Sequence, residues 1–346
     1  MLRSALRSLG LAAMLALPGT AAADDAALSS INRGFLKGYA LPATEALVER
    51  TAELQPAISA VCEGTADAAE AREAFAGTVE AWGRVAILRL PPLLDESRLE
   101  RMLFHPDPRD VTGRQLSALL AGEDEADLEN VGAKSVALKG LGTLDRLLPN
   151  LDEAYPCAYA AAVAGEVHAV AEEIAAAFAD AYREALLAPA PGAALYRDPG
   201  EATSAIVTGL ATSVAALRDL VLQPTLGETP ERSRWRLAPF RRSGLALEYA
   251  LAELAGFSDA LKAMDLPETL PEDARYLARS LQFEIANAAR ALSSLDAPLE
   301  ETVADEAARA QIDLAIIGLG ALEPLLRDRV AEALGLRLGF NSLDGD

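Results

Sequence analysis

The chain has 346 residues, with 31 Lys and Arg against 52 Asp and Glu, two His, two Cys and a formal charge of −21. Such a surface repels nucleic acid and anionic lipid, which are held through basic patches, so those binding classes are excluded and cations or basic partners are favoured. With His scarce and Cys-x-x-Cys absent, a cysteine-rich metal site is excluded as well.

Residues 1–23 read as a secretory signal peptide: Arg3 and Arg7, an apolar run from Leu9 to Leu17, then Ala21-Ala22-Ala23, with cleavage expected before Asp24. That run is too short for a membrane anchor, and no later stretch reaches roughly 18 continuous apolar residues. The expectation is a soluble periplasmic protein with no membrane insertion. Cys62 and Cys157 would then meet an oxidising compartment, where they pair as one disulfide or persist as two buried thiols.

After the leader, strong helix formers dominate and β-branched and aromatic residues are sparse. Apolar residues recur at helical spacing, as in Phe75, Val79, Trp82 and Ala86, and again in Val163, Val167, Val170, Ile174 and Phe178. The pattern predicts helices at about 43–62, 67–89, 112–121, 133–148, 155–187, 201–222, 243–263, 272–295 and 304–335. The fold class is all-α. Pro189, Pro191, Gly192, Pro199 and Gly200 mark 188–200 as a linker between an N-terminal helical bundle, 24–187, and a C-terminal one, 201–346, each four-helix-bundle-like. A faint repeat, Gly140–Leu148 against Gly318–Leu326, accompanies this division.

Asp145 shares a helical stripe with Leu138, Leu141 and Leu148, and Glu248 and Glu323 sit between leucines in the same way. An inward carboxylate must be paired or protonated. Acids on facing helices could hold iron or another divalent cation; the structural alternative is a helix-edge acid held by Arg or Lys. A second constellation gathers Arg84, Arg89, Arg109 and Arg114 near Trp82 and the Phe104–Arg109 loop that carries Asp107. These arginines suit Asp145 or an anionic ligand, since a guanidinium fork matches carboxylate and phosphate. Of the histidines, His105 lies in a Pro-flanked loop and His168 precedes Glu172 by four residues, a pair that marks a solvated face. His-Glu-x-x-His, a Gly-rich phosphate loop and Gly-x-Ser-x-Gly are all absent.

Trp82 with Leu88-Arg89-Leu90, the Phe104–Arg109 loop, Arg114-Gln115, the block Ser135–Leu148 containing Lys139, Glu248-Tyr249 and the ending Gly339–Asp346 together resemble the imelysin family, and within it the branch of iron-regulated periplasmic proteins. The resemblance implies two helical bundles related by a pseudo-twofold, a functional site where they meet, and a role in bacterial iron uptake, with peptidase activity named for founding members. The family motif Gly-x-His-x-x-Glu falls on Gly140–Asp145, where Gly142 replaces the histidine and Asp145 the glutamate. Loss of the imidazole removes the borderline-soft ligand and leaves one short carboxylate. The expected function is therefore that of a non-enzymatic imelysin-like protein that binds a cation, an iron complex or an envelope uptake protein in the crevice. Its expected site comprises Trp82, Arg84, Arg89, Asp107, Arg114, Lys139, Asp145 and Glu248, with Asp145 and Glu248 as metal ligands. The alternatives are a metal-dependent peptidase using Asp145, Glu248 and His168, and a structural partner of a membrane uptake complex.

Overall fold

The computed structural model describes residues 24–337, so the expected leader and the Gly339–Asp346 ending lie outside the described residues. Among the described residues the secondary structure is helical throughout, without a strand, which agrees with the all-α reading.

Three of the long rods contain a π turn beside a proline. Asp25–Phe35 passes through Leu36–Ala40 into Leu41–Cys62 near Pro42. Pro199–Ala216 passes through Leu217–Leu222 into Gln223–Leu226 near Pro224, and Glu306–Pro324 through Leu325–Val330 into Ala331–Leu334. Proline has no N–H for the carbonyl four residues before it, and a widened turn carries the helix past that defect. The first rod begins where the Asp24 carboxylate accepts from Ala27 N at 2.8 Å. The Pro199–Leu226 rod is long and apolar enough to cross a membrane, yet 72 % of its apolar window is buried inside the protein, which makes it a core helix.

Leu41–Cys62 lies along both Ala154–Ala179 and Ala68–Ala86; the latter packs against Ala246–Ala263, which in turn meets Tyr276–Ser293. Tyr276–Ser293 packs on Glu306–Pro324, and Asp25–Phe35 reaches across to Pro199–Ala216. One apolar core runs through all of these contacts, with Trp82, Tyr159, Phe35, Phe75 and Phe178 among its largest fully buried side chains. A disulfide joins Cys62 to Cys157, tying the end of one rod to the start of Ala154–Ala179.

Close approach depends on small residues. A Cβ at Gly34 would lie 2.1 Å from the Ala263 carbonyl oxygen, and one at Gly83 2.7 Å from the Ala252 methyl. Gly34→Ala should therefore lower stability by about 1–3 kcal/mol in denaturant melts, because overpacking outweighs the gain of about 1 kcal/mol that alanine offers a helix. At Gly142 the same change meets only Leu103 Cδ1, at 3.7 Å, and should stabilise by about 0.5–1 kcal/mol.

Two helical expectations are corrected. Residues 133–148 are not one helix: short 3-10 turns at Val131–Ala133 and Val136–Leu138 precede a helix that begins only at Leu141. Gly140 sets that start, with φ of 79° and a pro-Cβ position 2.4 Å from the Arg101 carbonyl oxygen, a conformation and a space that suit glycine. The 155–187 expectation breaks at Asp180, between Ala154–Ala179 and Ala181–Leu187. A rod before residue 43 also exists, and residues 188–198 form no helix.

Candidate functional site

Leu141–Leu147 places Asp145 against the loop that precedes Ala246–Ala263. The Asp145 carboxylate, 4 % exposed, accepts from Ser243 N at 2.9 Å, Ser243 Oγ at 2.8 Å and Arg242 N at 3.4 Å. The same loop is pinned from its other side by Phe240, whose ring packs edge-on to Phe75 and Tyr249 at 6.0 and 5.2 Å and whose φ is 56°. Thus the loop that carries Arg236, Arg241 and Arg242 is fixed by one buried carboxylate and one buried ring.

Around it lies a cavity of about 270 Å³, lined by these arginines together with Arg146, Asp107, Asp110, Gly142 and Asp145. Each of the three acids is engaged within the protein. Asp107 accepts from Val111 N at 2.8 Å and Thr112 N at 2.9 Å; burial works against its charge, but these backbone donors and Arg146 hold its pKa below the usual value. Asp110 pairs with Arg146, and Asp145 is bonded as described. Of the loop arginines, Arg236 stacks on Trp235 at 4.5 Å and pairs with Glu300 at 3.7 Å, and Arg241 Nε donates to the Arg236 carbonyl at 2.6 Å. Burial lowers the pKa of both Arg241 and Arg242, and the nearby Arg146 lowers it further. Such a site is electrostatically incomplete toward an anion.

A second cavity of about 200 Å³ shares Leu103 and His105 with the first and is lined by Trp82, Arg89, Tyr249 and Glu253. Among the described residues, neither Trp82 Nε1 nor Arg89 Nε has a hydrogen-bond acceptor. His105 Nε2 lies 3.1 Å from the Leu220 carbonyl, the one that Pro224 cannot serve, and burial lowers the His105 pKa. Burial raises Glu253 from its ordinary 4.5 to about 7, against the pull of the Tyr249 hydrogen bond and the Arg89 charge. The native state then holds an extra proton between those values, so stability falls as pH rises through that window and stays at its lower level above it. Glu253→Gln, which does not titrate, should melt above the unmodified protein at about pH 8, by up to a few kcal/mol in stability, and close to it near about pH 4.

The expected site residues do not converge on one point. Trp82 and Arg89 line the inner cavity, while Asp107 and Asp145 line the outer one. Glu248 is exposed and faces a third cavity with Leu295 and Leu299. Arg84 pairs with Asp259 at 2.8 Å, and Lys139, 6 % exposed, lies 3.5 Å from Glu166. Arg114 is exposed and donates to the Arg109 carbonyl. His168 faces Thr51 Oγ1 at 3.0 Å, and its Nε2 is 3.7 Å from Glu172. Glu323 is held by Arg218 at 2.9 Å. Among the described residues, no three His, Cys, Asp or Glu side chains converge closely enough to hold a metal ion.

Sequence reasoning missed the arginine loop and Glu253. The first had a signal, since Arg232, Arg234, Arg236, Arg241 and Arg242 fall within a short stretch of an acidic chain. The second was signalled by its place on the stripe Ala246, Tyr249, Ala250, Phe257 and Ala260, all buried.

No curated protein matches the chain. Among solved structures, an imelysin-like protein from Psychrobacter arcticum 273-4 is similar in fold, with a TM-score of 0.77 at 16 % identity, over 92 % of this chain and 100 % of that one. The family model described as imelysin, peptidase M75, matches residues 38–326, and with most of its length so covered the chain belongs to the imelysin family.

Proposed function

We propose that this chain is a non-catalytic periplasmic binding protein of iron uptake, and that its outer cavity takes an anionic iron complex for delivery to an envelope uptake protein. The reading is carried by the outer cavity, where Asp107, Asp110 and Asp145 already have donors while Arg241 and Arg242 line the opening with no carboxylate side chain within ion-pair distance among the described residues. A ferric complex that presents carboxylate oxygens would complete those guanidinium groups, with the iron carried as cargo. Bare iron is a poorer fit, because the Asp145 oxygens already accept from Ser243 and Arg242. Gly142 lines the same cavity as Asp145, and a Cβ there would meet only Leu103 Cδ1, at 3.7 Å.

Calorimetry on the purified protein should show saturable binding of ferric citrate at about micromolar concentration, with ferrous and ferric ions alone, free citrate and haem as comparisons. Expression should rise when the source bacterium is starved of iron. Absence of binding by every ferric complex tried, together with expression indifferent to iron, would sink the reading.

A further inference from the structure

We propose that the inner cavity behind Trp82 is a separate binding site for a small monocarboxylic acid with a short apolar tail. Three observations point there. Trp82 is 0 % exposed, yet its indole N–H meets no protein acceptor, and the buried Nε of Arg89, which lines the same cavity, is in the same condition. Trp82 and Arg89, each with a buried donor that no protein atom meets, both line this partly open cavity and offer recognition to a single oxygen-bearing group. The wall formed by Ala216, Leu217, Leu220 and Val221 is apolar, so the body of the ligand should be hydrocarbon.

The charge balance selects the class further. Arg89 is close enough to Glu253 to perturb its titration, yet the two form no ion pair within 4.0 Å. Arg89 is the lone basic side chain lining the cavity besides the neutral-leaning His105, and Glu100 and Glu253 stand on the acidic side. One carboxylate is matched by one guanidinium and the indole N–H, whereas a dianionic phosphate would face the two acids with too little positive charge. Below about pH 7 the Glu253 carboxyl, bonded to Tyr249, is protonated and lies beside the bound carboxylate without repelling it. A cavity of about 200 Å³ suits an acid of a few carbons.

The experiment uses the full mature chain and the straight-chain monocarboxylates from acetate to hexanoate, with the matching primary amides and inorganic phosphate as controls. Binding is read by calorimetry and by the Trp82 indole N–H resonance, assigned by its loss in Trp82→Phe. The proposal predicts saturable shifts of that resonance, affinity that grows with chain length and then falls as the cavity fills, and at least about tenfold weaker binding in Arg89→Gln. Arg89 Nε has no protein partner to lose, and Ala216→Leu supplies an independent check by taking volume from the apolar wall: it should weaken hexanoate more than acetate. Arg241→Gln, in the outer cavity, should leave these affinities within about twofold while reducing ferric citrate binding, so failure of one site is distinguishable from failure of the other. No shift with any acid, equal shifts with the amides or phosphate, or binding indifferent to both Arg89→Gln and Ala216→Leu would overturn the proposal.

Discussion

Asp145→Ala should cost about 3–4 kcal/mol of stability and abolish ordered anion binding in the outer cavity. The carboxylate is the shared acceptor for Ser243 N, Ser243 Oγ and Arg242 N, and it is nearly inaccessible to water. Its removal leaves the part-buried donors of Ser243 and Arg242 without their acceptor and takes away one of the two negative charges, with Asp110, that act on Arg241 and Arg242. Asp145→Asn keeps the shape and one acceptor, so a loss of about 1–2 kcal/mol is expected. Denaturant melts of both variants measure the difference. Equal stabilities for the alanine and asparagine variants would mean that the carboxylate does not organise the loop.

Loss of the Cys62–Cys157 bond should cost a similar amount, about 2–5 kcal/mol. The bond closes a sequence separation of 95 residues, and a long closed loop restricts the unfolded chain more than a short one. Both cysteines sit on helices that already pack side by side, so the paired Cys62→Ala/Cys157→Ala variant should keep its helical content while its melting temperature falls. Thermal unfolding of that variant beside the oxidised protein, each followed by circular dichroism, gives the measurement.

Helices whose buried face is apolar along its whole length were legible in the sequence. Val163, Val167, Val170, Ile174 and Phe178 are all fully buried, and so are Phe75, Val79 and Trp82. The rod at Asp25–Phe35 was missed although Leu28, Ile31 and Phe35 recur at helical spacing on its buried face; what periodicity does not show is the role of Asn32 and Gly34 there. Asn32 Oδ1 accepts from Thr203 Oγ1 at 2.8 Å, and its Nδ2 donates to the Pro199 carbonyl at 3.2 Å. Gly34 admits the Ala263 carbonyl. Each of these interactions lies more than 160 residues away in sequence, where local periodicity carries no information. The break at Gly140 belongs to the same class, since what demands glycine there is the Arg101 carbonyl.

At the site, single residues could be nominated, but their grouping could not. Glu248 looked inward because Leu245 and Leu251 flank it at three residues on either side, yet those leucines are only half-buried and the core stripe runs through Tyr249, Glu253 and Phe257. A rotation of one position around the helix decides which acid is buried. The arginine loop lacks any period, and its role depends on Asp145 and Phe240 arriving from other parts of the chain.

The most direct measurement of the central claim is a calorimetric titration of ferric citrate into the Arg241→Gln/Arg242→Gln variant beside the unmodified protein. Two guanidinium groups that meet carboxylate oxygens should together be worth about a hundredfold in affinity, so the account predicts a loss of that order with the fold intact. Unchanged affinity in the double variant would contradict it.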